Sequence, residues 1–155
     1  QNSIWLFKAL QKWSKVYISR LMQVFDTQQK QKQLVVDAMK EADEKRTNLI
    51  IFKKRVDWKD AYFDNNGKMH RTEFVLYPNL EGAWQAIAIP PERNSFAQKR
   101  SFPLEWAGLK DDELAKKINE PDAVFCHKNR FIAVFKKKSS LLNAMIRYGL
   151  TTPNG

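Results

Sequence analysis

The residues of this sequence best suited to catalysis are two histidines, His70 and His127, and one cysteine, Cys126. Cys126 and His127 are consecutive, and consecutive strand residues point to opposite faces, so they are poor co-ligands and a poor nucleophile–base pair. His70 stands in a polar stretch, as a surface histidine would. A hydrolytic metal site needs several converging ligands, and the spacings HxxxH, HxxEH and CxxC are absent. We therefore expect no catalytic residue, metal ligand set or cofactor in this chain.

Positively charged side chains form a second group that could do chemistry. Asp122 is the last acidic residue, and six Lys or Arg residues follow it. His127 lies among them in a His-Lys-Asn-Arg turn, where an imidazole would suit a phosphate oxygen. Two alternatives stay open: the turn backbone satisfies the imidazole, and the basic residues form a solvated face.

A third candidate segment interleaves basic and aromatic residues. Lys99 and Arg100 lie between Phe96 and Phe102, a pattern found where single-stranded nucleic acids stack on a protein. In the alternative interpretation, the two aromatic residues pin this loop to the core. Neither a GxGxxG motif nor a P-loop occurs, so nucleotide sites of those types have no support.

Composition places these segments in one basic domain. The chain has 155 residues, a formal net charge of +10 and 43% hydrophobic residues, enough for an ordinary core. The charge favours polyanionic partners without naming one. A single cysteine excludes an intramolecular disulfide and fits a reducing compartment. No signal peptide or membrane span is recognisable. We therefore expect an intracellular, cytoplasmic protein with no membrane partner, or in a eukaryote a nuclear or mitochondrial one.

The first third of the chain has the pattern of one long helix. Apolar residues from Ile4 to Phe25 recur at steps of three or four, which is the spacing of one helix face. No glycine or proline interrupts the segment, and we predict a helix from about Ser3 to Glu44. Such a helix is too long for a small domain to cover fully. We interpret residues 1–46 as a linker helix or as a dimerisation helix of a homodimer; alternatively, its stripe packs entirely on the chain's own sheet.

After this helix the pattern changes to short strands and helices. The predicted strands are Asn48–Phe52, Thr72–Tyr77, Ala83–Ile89, Ala123–His127 and Arg130–Phe135. The predicted helices are Asp57–Phe63, Asp111–Ile118, and one from an N-cap at Ser139 or Ser140 to Tyr148, stopped by Gly149. The fold class is therefore α+β: a long N-terminal helix followed by a mostly antiparallel sheet of about five strands with short covering helices. Residues 47–150 form this domain and residues 151–155 a tail.

Several short motifs follow one another between Val56 and Leu142. They are Trp58-Lys59-Asp60-Ala61, Phe74-Val75-Leu76-Tyr77-Pro78, Gly82-Ala83-Trp84-Gln85, Ser95-Phe96, Pro103-Leu104-Glu105-Trp106-Ala107-Gly108-Leu109, and Pro121-Asp122-Ala123-Val124-Phe125-Cys126-His127 with Arg130-Phe131-Ile132-Ala133. In this order they resemble the C-terminal half of the MYG family, metal-dependent nucleases of the DHH phosphoesterase superfamily. The long N-terminal helix is similar in kind to the linker helix of that family.

This resemblance implies a substrate-binding companion domain of a metal-dependent phosphodiesterase or exonuclease. Members of the family carry an N-terminal domain with Asp-His-His metal motifs, and these motifs do not occur here. A divalent metal, Mn or Mg, is therefore expected on that missing domain, while this chain grips the phosphates of RNA or another phosphodiester. The residues assigned to this role are Lys99, which stands where the family tends to have Arg, Arg100, His127, Lys128, Arg130 and Lys136.

Three positions depart from the pattern of the family. The family usually shows glycine where Asn129, Val134 and Ser140 stand, and glycine there would allow close backbone approach to a ligand. An alternative function is therefore a non-enzymatic nucleic-acid-binding or protein-interaction module that retains the fold without the ligand site. A third alternative is a stand-alone enzyme that uses His127 as general base.

Overall fold

The computed structural model describes residues 2–153 of the chain. Within them lie four α-helices and five β-strands. The helices are α1 (Asn2–Lys45), α2 (Lys59–Asp64), α3 (Asp111–Ile118) and α4 (Lys138–Arg147), and the strands are β1 (Leu49–Ile51), β2 (Phe74–Pro78), β3 (Trp84–Ala88), β4 (Ala123–Cys126) and β5 (Ile132–Phe135). The predicted α+β class, with its long N-terminal helix, is confirmed.

Helix α1 is continuous over 44 residues because neither glycine nor proline falls within it. It ends without the glycine that commonly closes a helix. Instead, Arg46 adopts a left-handed φ of 54°, and the Thr47 N–H donates a hydrogen bond to Ala42 O at 3.0 Å. These two residues cap the last turn of α1 through the main chain alone. Residue types therefore predicted the end of this helix only approximately.

The chain divides into two compact units, Gln1–Leu34 and Val35–Gly155, so the last turns of α1 belong to the second unit. In the first unit the apolar residues of the predicted stripe are exposed, and Trp13 stacks on Tyr17 with 5.4 Å between ring centroids. Across residues 2–153, no helix is both long enough and apolar enough to cross a membrane.

One mixed sheet organises the second unit, with strand order β1-β2-β3-β5-β4. β1 and β2 pair in parallel, and the other three pairings are antiparallel, as the prediction of a mostly antiparallel sheet requires. Both predicted hairpins are present, β2–β3 and β4–β5. An irregularity between Ala123 and Phe125 shifts the register of the second hairpin, so Phe125 pairs with Val134.

The two faces of the sheet are covered unequally. One face packs on α3, α4 and the 3-10 turn that carries Trp106, in a core that includes Phe74, Ala86 and Phe135. The other face packs on α2 and the last turns of α1 over strands β1 and β2. On that second face β3, β5 and β4 line an open groove of about 600 Å³, whose floor includes Gln85 and Val134.

The start of α4 differs from the prediction. The helix begins at Lys138 with Lys137 as its N-cap, so an N-cap at Ser139 or Ser140 is wrong. The Ser140 hydroxyl is buried and donates to Asp122 Oδ2 at 2.6 Å, because β4 begins beside this helix and offers a carboxylate. The predicted stop at Gly149 is confirmed, with a left-handed φ of 70°.

The Asn48 side chain joins β1 to the C-terminal segment. Its Nδ2 donates to Leu150 O at 2.7 Å and to Glu73 Oε1 at 2.9 Å, and its Oδ1 accepts a hydrogen bond from Thr151 Oγ1 at 2.7 Å. Thr151 is buried at this contact. One amide therefore satisfies polar groups from two segments, at Glu73 and at Leu150–Thr151, that are distant along the chain.

We expect Asn48→Ala to lower the free energy of unfolding by roughly 1–3 kcal/mol, because buried partners lose their hydrogen bonds. Urea unfolding followed by circular dichroism measures the change. Asn94→Ala is the matched control, since Asn94 is exposed and should leave the midpoint within experimental error. Equal midpoints for both variants would show that the Asn48 amide contributes nothing.

Candidate functional site

The Lys99 ammonium is held by oxygen atoms of the protein itself. Its Nζ donates to Gly67 O at 2.7 Å, to Tyr62 Oη at 2.8 Å, and to the carbonyls of His70 and Thr72 at 3.0 and 3.1 Å. We call these groups the Lys99 cluster. Four acceptors exceed the three hydrogens of an ammonium group. The Lys99 head group therefore fastens its loop to the segment from Gly67 to Thr72.

Burial shifts the pKa values of both titratable groups in the Lys99 cluster. Desolvation lowers the pKa of Lys99 to about 8 and raises the pKa of Tyr62 to about 12. Near neutral pH the amine is therefore mostly protonated and the phenol fully so. Gly67 completes the cluster, because a Cβ atom at that position would lie 2.1 Å from the Tyr62 ring.

The two arginines assigned to phosphates contact main-chain carbonyls. The Arg100 Nη2 donates to Gly149 O at 2.6 Å, and its Nη1 lies 3.6 Å from Glu73 Oε1. The Arg130 Nη1 donates to Phe102 O at 3.3 Å. Each guanidinium thus joins the long loop before α3 to a neighbouring segment, and each keeps further N–H donors for other partners.

His127 closes β4 and turns the chain towards β5. Its Nδ1 accepts a hydrogen bond from the Asn129 N–H at 3.0 Å, so the neutral ring carries its proton on Nε2. Its ring centroid lies 4.5 Å from that of Phe131. The turn backbone satisfies one ring nitrogen, and within residues 2–153 the other has no hydrogen-bond partner. The neighbouring Cys126 lies in the core, where burial raises the pKa of its thiol to about 12.

Lys128 and Lys136 are exposed, and among the described residues their ammonium groups make no hydrogen bond or ion pair. Lys128 stands in the β4–β5 turn, whereas Lys136 follows the far end of β5. At about 3.3 Å per strand residue, these positions are separated by more than roughly 15 Å. The six assigned residues therefore occupy separate places: Lys99 in its cluster, Arg100 beside Glu73, three residues at the β4–β5 turn, and Lys136 alone.

A pocket of about 330 Å³ adjoins the β4–β5 turn. We call it the Phe96–Phe131 pocket, and its wall includes Trp58, Lys59, Ser95, Phe96, Asn129 and Phe131. Phe102, by contrast, is fully buried. The prediction that aromatic residues pin this loop thus holds for Phe102, while Phe96 remains exposed.

Reasoning from residue types missed Lys59, Asn129 and Phe131 as members of this pocket. A signal was nevertheless present, because Trp58-Lys59, Ser95-Phe96 and Arg130-Phe131 belong to three of the motifs that resemble those of the MYG family. The fold brings these three motifs to one pocket. Between residues 2 and 153, no group of three or more His, Cys, Asp or Glu side chains could hold a metal ion.

We expect Lys99→Met to lower the free energy of unfolding by roughly 1–3 kcal/mol, because the oxygens of the Lys99 cluster lose their shared donor. Thermal or urea unfolding measures the effect. Lys59→Met is the control: Lys59 is exposed, and its ammonium makes no hydrogen bond or ion pair with residues 2–153. If both variants unfold at the same midpoint as the wild type, the cluster does not stabilise the fold.

Comparison with known proteins identifies the family. The model of the MYG1 exonuclease family, described as uncharacterised protein family UPF0160, matches residues 5–150. The chain is 33% identical to the MYG1 protein of Chlamydia trachomatis over 110 residues, 70% of this chain and 38% of that protein. It is 30% identical to the MYG1 protein of Saccharomyces cerevisiae over 115 residues, 71% of this chain and 34% of that protein.

A mammalian relative is similar over a shorter range. The chain is 28% identical to the MYG1 exonuclease of Rattus norvegicus over 89 residues, 56% of this chain and 23% of that protein. No solved structure matches the chain. The matched part of the chain thus spans 23% to 38% of the length of these relatives. From the match over residues 5–150, the chain belongs to the MYG1 family.

Proposed function

We propose that this chain is the substrate-binding companion domain of a MYG-like, metal-dependent phosphodiesterase or exonuclease, and that it grips the phosphates of RNA or a related phosphodiester. The name of the Rattus norvegicus relative, MYG1 exonuclease, supports the reaction class. The observation that carries the substrate-binding role is the position of the basic β4–β5 turn beside the Phe96–Phe131 pocket. The divalent metal, Mn or Mg, and the water that it activates would belong to a separate metal domain.

Hydrogen-bond donors without a protein partner make the β4–β5 turn the part of this chain best suited to contact phosphates. His127 keeps Nε2 for a ligand, and the Lys128 ammonium has no partner among residues 2–153. Arg130 donates one N–H to Phe102 O and retains others for a ligand. Lys59 adds an unpaired ammonium on the wall of the pocket. Lys99 and Arg100 support the proposal indirectly, since both fasten the loop that carries Phe96.

The alternative, a binding module without a ligand site for hydrolysis, is favoured by two of the positions where the family usually has glycine. The Val134 side chain is buried on the sheet. The Ser140 hydroxyl is buried against Asp122. Side chains thus fill the space that glycines would leave open for close backbone approach. The two candidates differ in whether a metal domain supplied in trans restores hydrolysis.

Phosphate contact predicts a defined dependence on salt. We expect the double variant Lys59→Ala with Lys128→Ala to weaken binding of a single-stranded RNA dodecamer and to reduce the slope of log affinity against log salt by about 1.4. Fluorescence anisotropy over a salt series measures both. Lys53→Ala with Lys54→Ala is the matched control, because it removes the same charge at exposed positions outside the turn and pocket. The same loss in both double variants would indicate a non-specific charge effect.

The proposal that this chain binds substrate while a separate domain holds the metal predicts the outcome of a hydrolysis assay. We expect this chain with Mn²⁺ to leave labelled RNA intact. A metal domain of a MYG1 relative, supplied in trans, should cleave faster in its presence. Gel analysis of the products measures both rates. Hydrolysis by the purified chain alone, at a rate that follows its concentration, would contradict the proposal, and loss of that activity in His127→Ala would identify the third alternative, a stand-alone enzyme.

A further inference from the structure

We propose that the Phe96–Phe131 pocket binds one unpaired nucleobase of a single-stranded nucleic acid, stacked on the Phe96 ring. This inference rests on the proposed function for the class of substrate and adds a base-binding site to it. The phosphate-contacting turn would hold the strand, and the pocket would hold one of its bases.

The loop that presents Phe96 is anchored on both sides. On one side, Arg93 forms ion pairs with Asp60 and Asp64 of α2. On the other side, the Lys99 N–H donates to Ile89 O at 2.8 Å, in addition to the Lys99 cluster. The Phe96 side chain between these anchors is nevertheless fully exposed, at 101% of its reference area. Because the loop backbone is already held on both sides of Phe96, a ligand that stacks on the ring has less loop ordering to pay for.

An exposed phenylalanine by itself is ordinary on a protein surface. Phe96 differs because it stands at a pocket with a second, partly exposed ring, Phe131, at 38%. Aromatic rings that accept bases are the recurring feature of single-strand binding, since every base offers an aromatic face. A volume of about 330 Å³ is at the small end of ligand sites, the size for one base and not for a duplex. In a duplex, moreover, the faces of the bases are already stacked.

The polar groups of the pocket match a nucleotide. The Asn129 side-chain amide makes no hydrogen bond with residues 2–153, so it offers both donors and an acceptor to the edge of a base. The Gln98 amide, by contrast, is engaged with Ser101 and Phe96 O. Lys59 supplies positive charge, and the wall contains no acidic residue. The pocket is therefore complementary to an aromatic ligand with a negatively charged attachment.

His127 joins the pocket to the phosphate-contacting turn. Its ring packs on Phe131 at 4.5 Å, and its Nδ1 is fixed by the Asn129 N–H. One histidine thus touches the aromatic wall and orients the turn that carries Lys128. A strand whose base enters the pocket would place its backbone beside this turn.

Phe96→Ala tests the site. We expect it to weaken binding of a single-stranded RNA dodecamer roughly 5- to 150-fold, the effect of losing one base–aromatic stack. The slope of log affinity against log salt should stay unchanged, because no charge is removed. Phe96→Trp should retain the affinity. Leu80→Ala is the matched control, since Leu80 is equally exposed, at 99%, on the β2–β3 loop.

A second measurement separates base recognition from phosphate contact. We expect uridine or adenosine 5′-monophosphate to shift the NMR signals of the Asn129 side-chain amide and of Ala97, whereas ribose 5-phosphate should leave them in place. Equal shifts from all three ligands would overturn base binding in favour of a phosphate site. Equal affinity of RNA for Phe96→Ala and Leu80→Ala would overturn the pocket while leaving the proposed function intact.

The proposed function can also be wrong while the base-binding pocket is right. If the dodecamer does not bind, yet the two nucleotides shift Asn129 in the wild type and not in Phe96→Ala, the pocket is a base site and the RNA-gripping role is wrong. If neither RNA nor nucleotides bind, both proposals are wrong. If Phe96→Ala weakens binding of duplex RNA as much as binding of single-stranded RNA, the proposal that a base stacks on Phe96 is also wrong.

Discussion

The geometry of the candidate site depends on the Lys99 ammonium and the four oxygens around it. Three of these oxygens are main-chain carbonyls, so the contact fixes backbone rather than one rotamer. The loop held in this way carries Phe96, and through Arg100 it also reaches Glu73 and the end of α4. The Lys99 ammonium therefore stabilises the fold of this loop through protein oxygens.

The unequal cover of the sheet explains where a site can form at all. Two cores close one face completely and the other only over β1 and β2. The uncovered strands end at the β4–β5 turn, beside the long loop from Pro90 to Lys110. Because regular structure in that loop is limited to one 3-10 turn and an isolated bridge from Lys110 to Phe125, its side chains can form a pocket with strand residues. Loops on a rigid scaffold commonly carry function for this reason.

Residue patterns predicted the helices and strands well, whereas the contacts that position the candidate site residues were not predictable from residue types. Periodicity placed α1, and alternation with turn residues placed both hairpins, because these signals are local. Most partners of Lys99 are carbonyl oxygens from a segment about thirty residues away. Because every residue has a main-chain carbonyl, residue types do not show which of them will accept a hydrogen bond. Lys136 lies far from the β4–β5 turn because β5 runs away from that turn. The small number of residues between Lys128 and Lys136 does not reveal this separation. Ser140 was assigned to a helix cap because the approach of Asp122 is a tertiary contact.

The state of Cys126 has a practical consequence for spectroscopy on this domain. Its thiol is buried and, with a pKa raised to about 12, stays protonated near neutral pH. Maleimides and nitroxide reagents attack the thiolate, so the native protein should remain unlabelled without any cysteine being removed. A cysteine introduced at an exposed position, such as Leu80, would then be the single reactive thiol. Such a probe would give position 80 its own spectroscopic signal while Cys126 stays in place.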